Sequence, residues 1–122
     1  MEDRAEVGRK YPVTAAHRRS YERPLRLRAG DVVSVGRRDE TWTSWLWCTD
    51  ARTEVSGWVH EAYLDMRKDG TAWALRDYSS IELTVTPGDA LTGFEVVGAW
   101  IWCRNAQGDE GRVPEENCSP LA

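Results

Sequence analysis

The chain has 122 residues, a formal net charge of −4, 41% hydrophobic and 30% charged residues, seven Trp against one Phe, and three Cys. An odd cysteine count without a C-x-x-C spacing excludes a disulfide framework and a zinc knuckle, and no apolar run approaches the ~18 residues that cross a bilayer. The net negative charge weighs against a nucleic-acid binder, so the composition points to a soluble, cytoplasmic protein in which some Trp rings meet solvent or a ligand.

Met1 to Gly8 is polar and reads as a flexible leader. Tyr11, Val13 and Ala15 alternate with Pro12 and Thr14, which is the period of a half-buried strand, and the proline assigns it to a sheet edge or a strand start. His17 to Pro24 is a long polar loop. Residues 9–28 hold Arg9, Lys10, Arg18, Arg19, Arg23, Arg26 and Arg28 against Glu22 alone, a distinctly basic stretch. Short strands then follow at Leu25–Arg28, Val33–Val35, Trp45–Thr49 and Gly57–His60, before a helical turn that ends at Tyr63-Leu64. The charged stretch closed by Gly70 is the one credible linker, at 66–70. A second series of strands starts at Trp73-Ala74-Leu75 and continues through Glu82–Val85 and Trp100–Cys103.

The two series are copies. Gly30-Asp31, Trp45 and Gly57 recur as Gly88-Asp89, Trp100 and Gly111, at offsets of 58, 55 and 54 residues. The chain therefore divides into a leader at 1–8, a first domain at 9–65, a linker at 66–70 and a second domain at 71–122. Units of roughly 55 residues bury only about 60% of their unfolded surface, so each gains from a neighbour. Short strands with turn signals every 8 to 12 residues and no helical periodicity predict an all-β chain of two small barrels.

These residues carry a resemblance to a known family. Ala74-Leu75-Arg76-Asp77-Tyr78, Gly88-Asp89, Trp100 and Gly111-Arg112-Val113-Pro114 in the second domain resemble the SH3 pattern. Gly30-Asp31, Trp45, Gly57-Trp58-Val59 and Ala62-Tyr63-Leu64 do so in the first. The resemblance implies two tandem SH3-like barrels, and peptide grooves lined by Trp45, Tyr63, His17 and His60 in one and by Tyr78, Trp100 and Pro114 in the other. Neither groove is complete. Ala15 and His17 replace the two tyrosines of the strand motif and His60 the proline in the first domain, while Arg76 and Asn117 replace tyrosines in the second. Where the family carries an acidic specificity loop, this chain has Arg18, Arg19 and Arg23 around Glu22, which implies a preference for acidic or neutral peptides.

The expected core is Val13, Ala15, Leu25, Leu27, Val33, Val35, Cys48, Val59 and Leu64, then Ala74, Leu83, Val85, Leu91, Cys103, Val113 and Cys118. Cys103 and Cys118 are either two buried thiols or a disulfide. Trp47 and Trp102 are assigned to a contact between the domains, Trp58 and Trp73 to structural cover. There is no nucleophile elbow, phosphate loop or paired His/Cys constellation, so the sequence reads as non-catalytic, without metal or cofactor. A protein or peptide partner is the first expectation; binding of a nucleic acid or other polyanion through the arginine loop, or a purely structural subunit, are the alternatives.

Overall fold

A computed structural model describes residues 8–119; apart from Gly8, the expected leader lies outside the described residues. Among the described residues the chain is all-β, with open sheets rather than closed barrels and two 3-10 turns. The strands are β1 (Arg9–Pro12), β2 (Arg26–Leu27), β3 (Val32–Arg38), β4 (Trp45–Asp50), β5 (Ser56–His60), β6 (Leu64–Met66), β7 (Thr71–Ala74), β8 (Tyr78–Ser79), β9 (Ala90–Val97), β10 (Trp100–Arg104) and β11 (Glu110–Pro114). Among the described residues no helix is long and apolar enough to cross a membrane.

Two compact units result, and they do not follow the sequential division expected above. One is the central stretch Glu22–Ser80; the other, the flanking unit, joins the residues up to Tyr21 with those from Ile81 onward. In the central unit a five-stranded sheet runs β5-β4-β3-β7-β6, and β2 pairs with β8. In the flanking unit the order is β1-β9-β10-β11. The first strand of each sequence repeat is thus built into the other repeat's sheet, β1 beside β9 and β7 beside β3.

The stretch 66–70, read as a linker, is a hairpin turn. β6 and β7 pair antiparallel, Leu64 with Ala74 and Met66 with Ala72, and the four residues 67–70 between the strands reverse the chain. Gly70 supplies the left-handed backbone at φ 85. Asp69 accepts hydrogen bonds from the Thr71 hydroxyl at 2.6 Å and its N–H at 3.1 Å, and those bonds lower the Asp69 pKa. Replacing Gly70 with alanine forces a Cβ into that conformation; a loss of about 1 kcal/mol in urea unfolding is expected, and an unchanged midpoint would contradict the turn.

The repeats fold alike elsewhere. Asp31 and Asp89 each accept a hydrogen bond from the backbone three residues earlier, Arg28 N–H and Thr86 N–H, both at 2.9 Å. Gly30 and Gly88 both take positive φ, 91 and 97. Trp45, Leu46, Trp47 and Cys48 face His60, Val59, Trp58 and Gly57 across the β4–β5 hairpin, and Trp100, Ile101, Trp102 and Cys103 face Pro114, Val113, Arg112 and Gly111 across β10–β11. The period of two sends Leu46, Cys48, Ile101 and Cys103 inward, and all four are buried.

Most of the expected core is buried, with two exceptions. Ala15 is exposed because β1 ends at Pro12, and Val35 is half-buried where β3 turns irregular before Arg38. The expected strand at Glu82–Val85 is reduced to isolated bridges, His17 with Val85 and Glu82 with Arg112. Val13 belongs with Tyr11, Leu83, Val85, Leu91, Ile101, Cys103, Val113 and Cys118 in the flanking core. All three cysteines are free thiols, which removes the disulfide alternative.

Candidate functional site

In the central unit, the β4–β5 register places Trp45 beside His60, their rings meeting edge to face at 5.3 Å. His60 also caps the 3-10 turn Glu61–Tyr63: its Nδ1 accepts the Ala62 N–H at 3.0 Å, which leaves Nε2 to carry the proton of the neutral ring. Tyr63, at the end of that turn, meets His60 at 6.4 Å and Tyr78 at 5.1 Å. Tyr78 reaches this place because β7 and β8 belong to the central unit, where its hydroxyl donates to the Trp58 carbonyl. Arg76 lies with its Cζ 4.3 Å from the Tyr63 ring centroid, a cation over an aromatic face.

The cluster therefore differs in membership from the grooves assigned by sequence order. Trp45, His60 and Tyr63 are joined by Tyr78, and His17 is in the flanking unit. It also differs in exposure: Trp45, Tyr63 and Tyr78 are only 4%, 3% and 5% exposed. They form a floor, with half-buried His60 and exposed Arg76 at its rim.

In the flanking unit His17 meets Trp100 edge to face at 5.4 Å, and Trp100 pairs across the strands with buried Pro114. His17 Nε2 lies 2.9 Å from Glu82 Oε1, and the same oxygen accepts the Ser20 N–H and hydroxyl, each at 3.0 Å. Sequence reasoning passed over Glu82, whose role depends on a loop contact that no local spacing announces. Asn117, where the family pattern has a tyrosine, donates to the carbonyls of Ala15 at 3.2 Å and Ala16 at 2.9 Å. An amide that holds a backbone has replaced a ring that would hold a ligand.

The four candidates for charge specificity are divided. Arg18 and Arg19 belong to the flanking unit, Glu22 and Arg23 to the central one, and all four are exposed. A cleft of about 470 Å³ in the flanking unit is lined by Arg19, Glu82, Leu83, Asn105, Asp109 and Glu110, away from Trp100. Three of its polar groups already serve the fold: Glu82 as described, Glu110 by accepting the Trp102 indole N–H at 2.9 Å, and Asn105 by accepting the Asp109 N–H at 2.9 Å.

Burial is the main influence on the thiols. Desolvation pushes Cys48 up to about 12 and, with smaller contributions from Cys118 and Glu110, Cys103 to about 12; it raises Cys118 as well. Thiols held protonated in this way pack as small hydrophobes.

The Gly-Asp turn, the Trp-bearing hairpin and the 3-10 turn after it occur in both repeats. Residues 11–66 match the family model of the variant SH3 domain. No curated protein and no solved structure matches the chain. The variant SH3 match starts at Tyr11, in the flanking unit, and ends at Met66, in the central one, so it follows the sequence repeat and crosses the spatial division. SH3-type domains are in general protein-interaction modules.

Proposed function

We propose that the chain is a non-catalytic protein-interaction module of two SH3-like units, in which the central unit holds an extended peptide along the rim of the Trp45, His60, Tyr63 and Tyr78 cluster. The observation that carries this reading is the ring contact of Tyr78 with Tyr63 at 5.1 Å, beside the Trp45 and His60 pair. It assembles in one unit the aromatic set that neither repeat contains alone. Such rings suit a polyproline II segment, which is already extended and presents flat pyrrolidine faces.

The rim favours acidic or uncharged residues on that peptide, because Arg76 stands over Tyr63 where the family pattern has a tyrosine. The test is a titration of the whole chain with a proline-rich decapeptide flanked by Glu, and with the same peptide flanked by Arg, followed by the NMR signal of the Trp45 indole. The acidic peptide is expected to shift it. His60→Ala and Arg76→Glu, both at the rim of the buried floor, are expected to weaken binding roughly tenfold. No shift with either peptide sinks the reading.

Exposure of Arg18, Arg19, Arg23, Arg26 and Arg28 favours a second reading, the binding of a polyanion. A mobility shift with single-stranded DNA that is present at low salt and lost on adding salt is its signature.

A further inference from the structure

Two strands of this chain fit two equivalent places. β1 lies along β9 with Tyr11 opposite Leu91 and Lys10 opposite Thr92. β7 lies along β3 with Ala72 opposite Val33 and Thr71 opposite Ser34. The offset between the Gly-Asp turns makes Val33 the counterpart of Leu91, Ser34 of Thr92 and Val35 of Gly93, and the cross-strand partners agree, since Val35 faces Cys48 and Gly93 faces Cys103. Tyr11 and Ala72 thus stand at the same backbone position and differ in volume.

The places differ in the opposite sense. Tyr11 is buried with its ring over Gly93: a Cβ at Gly93 would stand 2.5 Å from Tyr11 Cε2, 2.7 Å from Tyr11 Cδ2 and 2.9 Å from Ile101 Cγ2. Carbon atoms that are not bonded do not approach so closely. The β3 edge does carry a Cβ there, on Val35, and the strand beside it presents the small, buried Ala72. Sequential pairing, with β1 on β3 and β7 on β9, would drive the phenol ring into Val35. It would also leave a methyl group over bare glycine, with a ring-sized void.

We infer that side-chain volume at this pair of positions, Tyr11 with Gly93 and Ala72 with Val35, selects the exchanged pairing, and that the β9 edge of the flanking unit is a binding site for an extended strand bearing an aromatic residue over Gly93. The N-terminal strand is its resident occupant. Exchange of strands between copies is a low-cost rearrangement where connections are short, and here the four-residue turn 67–70 favours folding β7 back onto β6.

Cross-linking in the whole chain tests this. Paired residues on antiparallel strands lie within disulfide reach. Lys10→Cys with Thr92→Cys is expected to form the 10–92 disulfide under mild oxidation, and Lys10→Cys with Ser34→Cys is expected to form none, as read from the masses of linked tryptic peptides. Exchanging the slots, by Gly93→Val with Val35→Gly, is expected to make the 10–34 link the major product. Exchanging the donors, by Tyr11→Ala with Ala72→Tyr, is expected to do the same and is an independent trial should the first variant misfold. A 10–92 link formed between chains supports the same site, filled by a second copy's strand. A 10–34 link in the chain with native slots overturns the inference, as does a 10–92 link that stays the major product in either folded exchange variant.

Discussion

Tyr11→Ala is expected to lower the stability of the flanking unit by about 3–5 kcal/mol, the range for truncating a large buried aromatic. The ring is 5% exposed in the cluster with Val13, Leu91, Ile101 and Cys118, and it stands over a residue that has no side chain to relax into the vacated space. Tyr11→Phe keeps the filling and is expected to cost under about 1 kcal/mol, which separates ring volume from the hydroxyl. Urea unfolding followed by Trp fluorescence measures both. A Tyr11→Ala chain as stable as the parent would mean that β1 is only loosely held on β9.

The second large effect is alkaline. Stability is expected to fall steeply from pH 9 towards pH 12, because Cys48 and Cys103 ionise near 9.0 in the unfolded chain but are held protonated to about 12 when folded. Within that window the unfolded state binds fewer protons, so raising the pH favours it; the stabilisation is complete below 9 and lost as the pH rises through the window. Each thiol contributes a slope of roughly 1.4 kcal/mol per pH unit. Cys48 is in the central unit and Cys103 in the flanking one, so both units weaken together. Urea midpoints at pH 8.5 and 10.5 measure the drop, and Cys48→Ala is expected to flatten the part that belongs to the central unit. Equal midpoints at the two pH values would rule out buried, protonated thiols.

Local chemistry wrote much of the fold legibly. The alternation Trp45-Leu46-Trp47-Cys48 announces a strand with Cys48 inward, and Gly30-Asp31 announces a turn; each is found, and each recurs in the second copy. Which repeat receives which first strand was not legible in that way. Tyr11-Pro12-Val13 and Trp73-Ala74-Leu75 both read as the opening strand of a repeat, and the choice between their destinations depends on residues 93 and 35, remote in sequence from both. Segment 66–70 is charged and ends in glycine, a composition shared by linkers and tight turns; only the pairing of Leu64 with Ala74 distinguishes them. The candidate site suffered for the same reason. Trp45, His60 and Tyr63 could be grouped by order along the chain, whereas Tyr78 joins them through an exchange that moved His17 to Trp100. Exposure was legible only in part: some Trp rings are open, Trp73 at 46%, but Trp45, expected to line a groove, is almost covered.

The hairpin at 67–70 bears on how the protein emerges from the ribosome. Because β6 turns directly into β7, every strand of the central unit lies within one continuous stretch, which can close once Ser80 has left the ribosome. The N-terminal strand precedes the others but pairs late: Arg9 pairs with Gly93, 84 residues further on. At roughly 5–20 residues per second of synthesis, β1 waits several seconds for its partner while an intervening unit folds. A volume mismatch at Val35 would then act during translation, keeping the early strand off the first sheet edge it meets until the later edge exists.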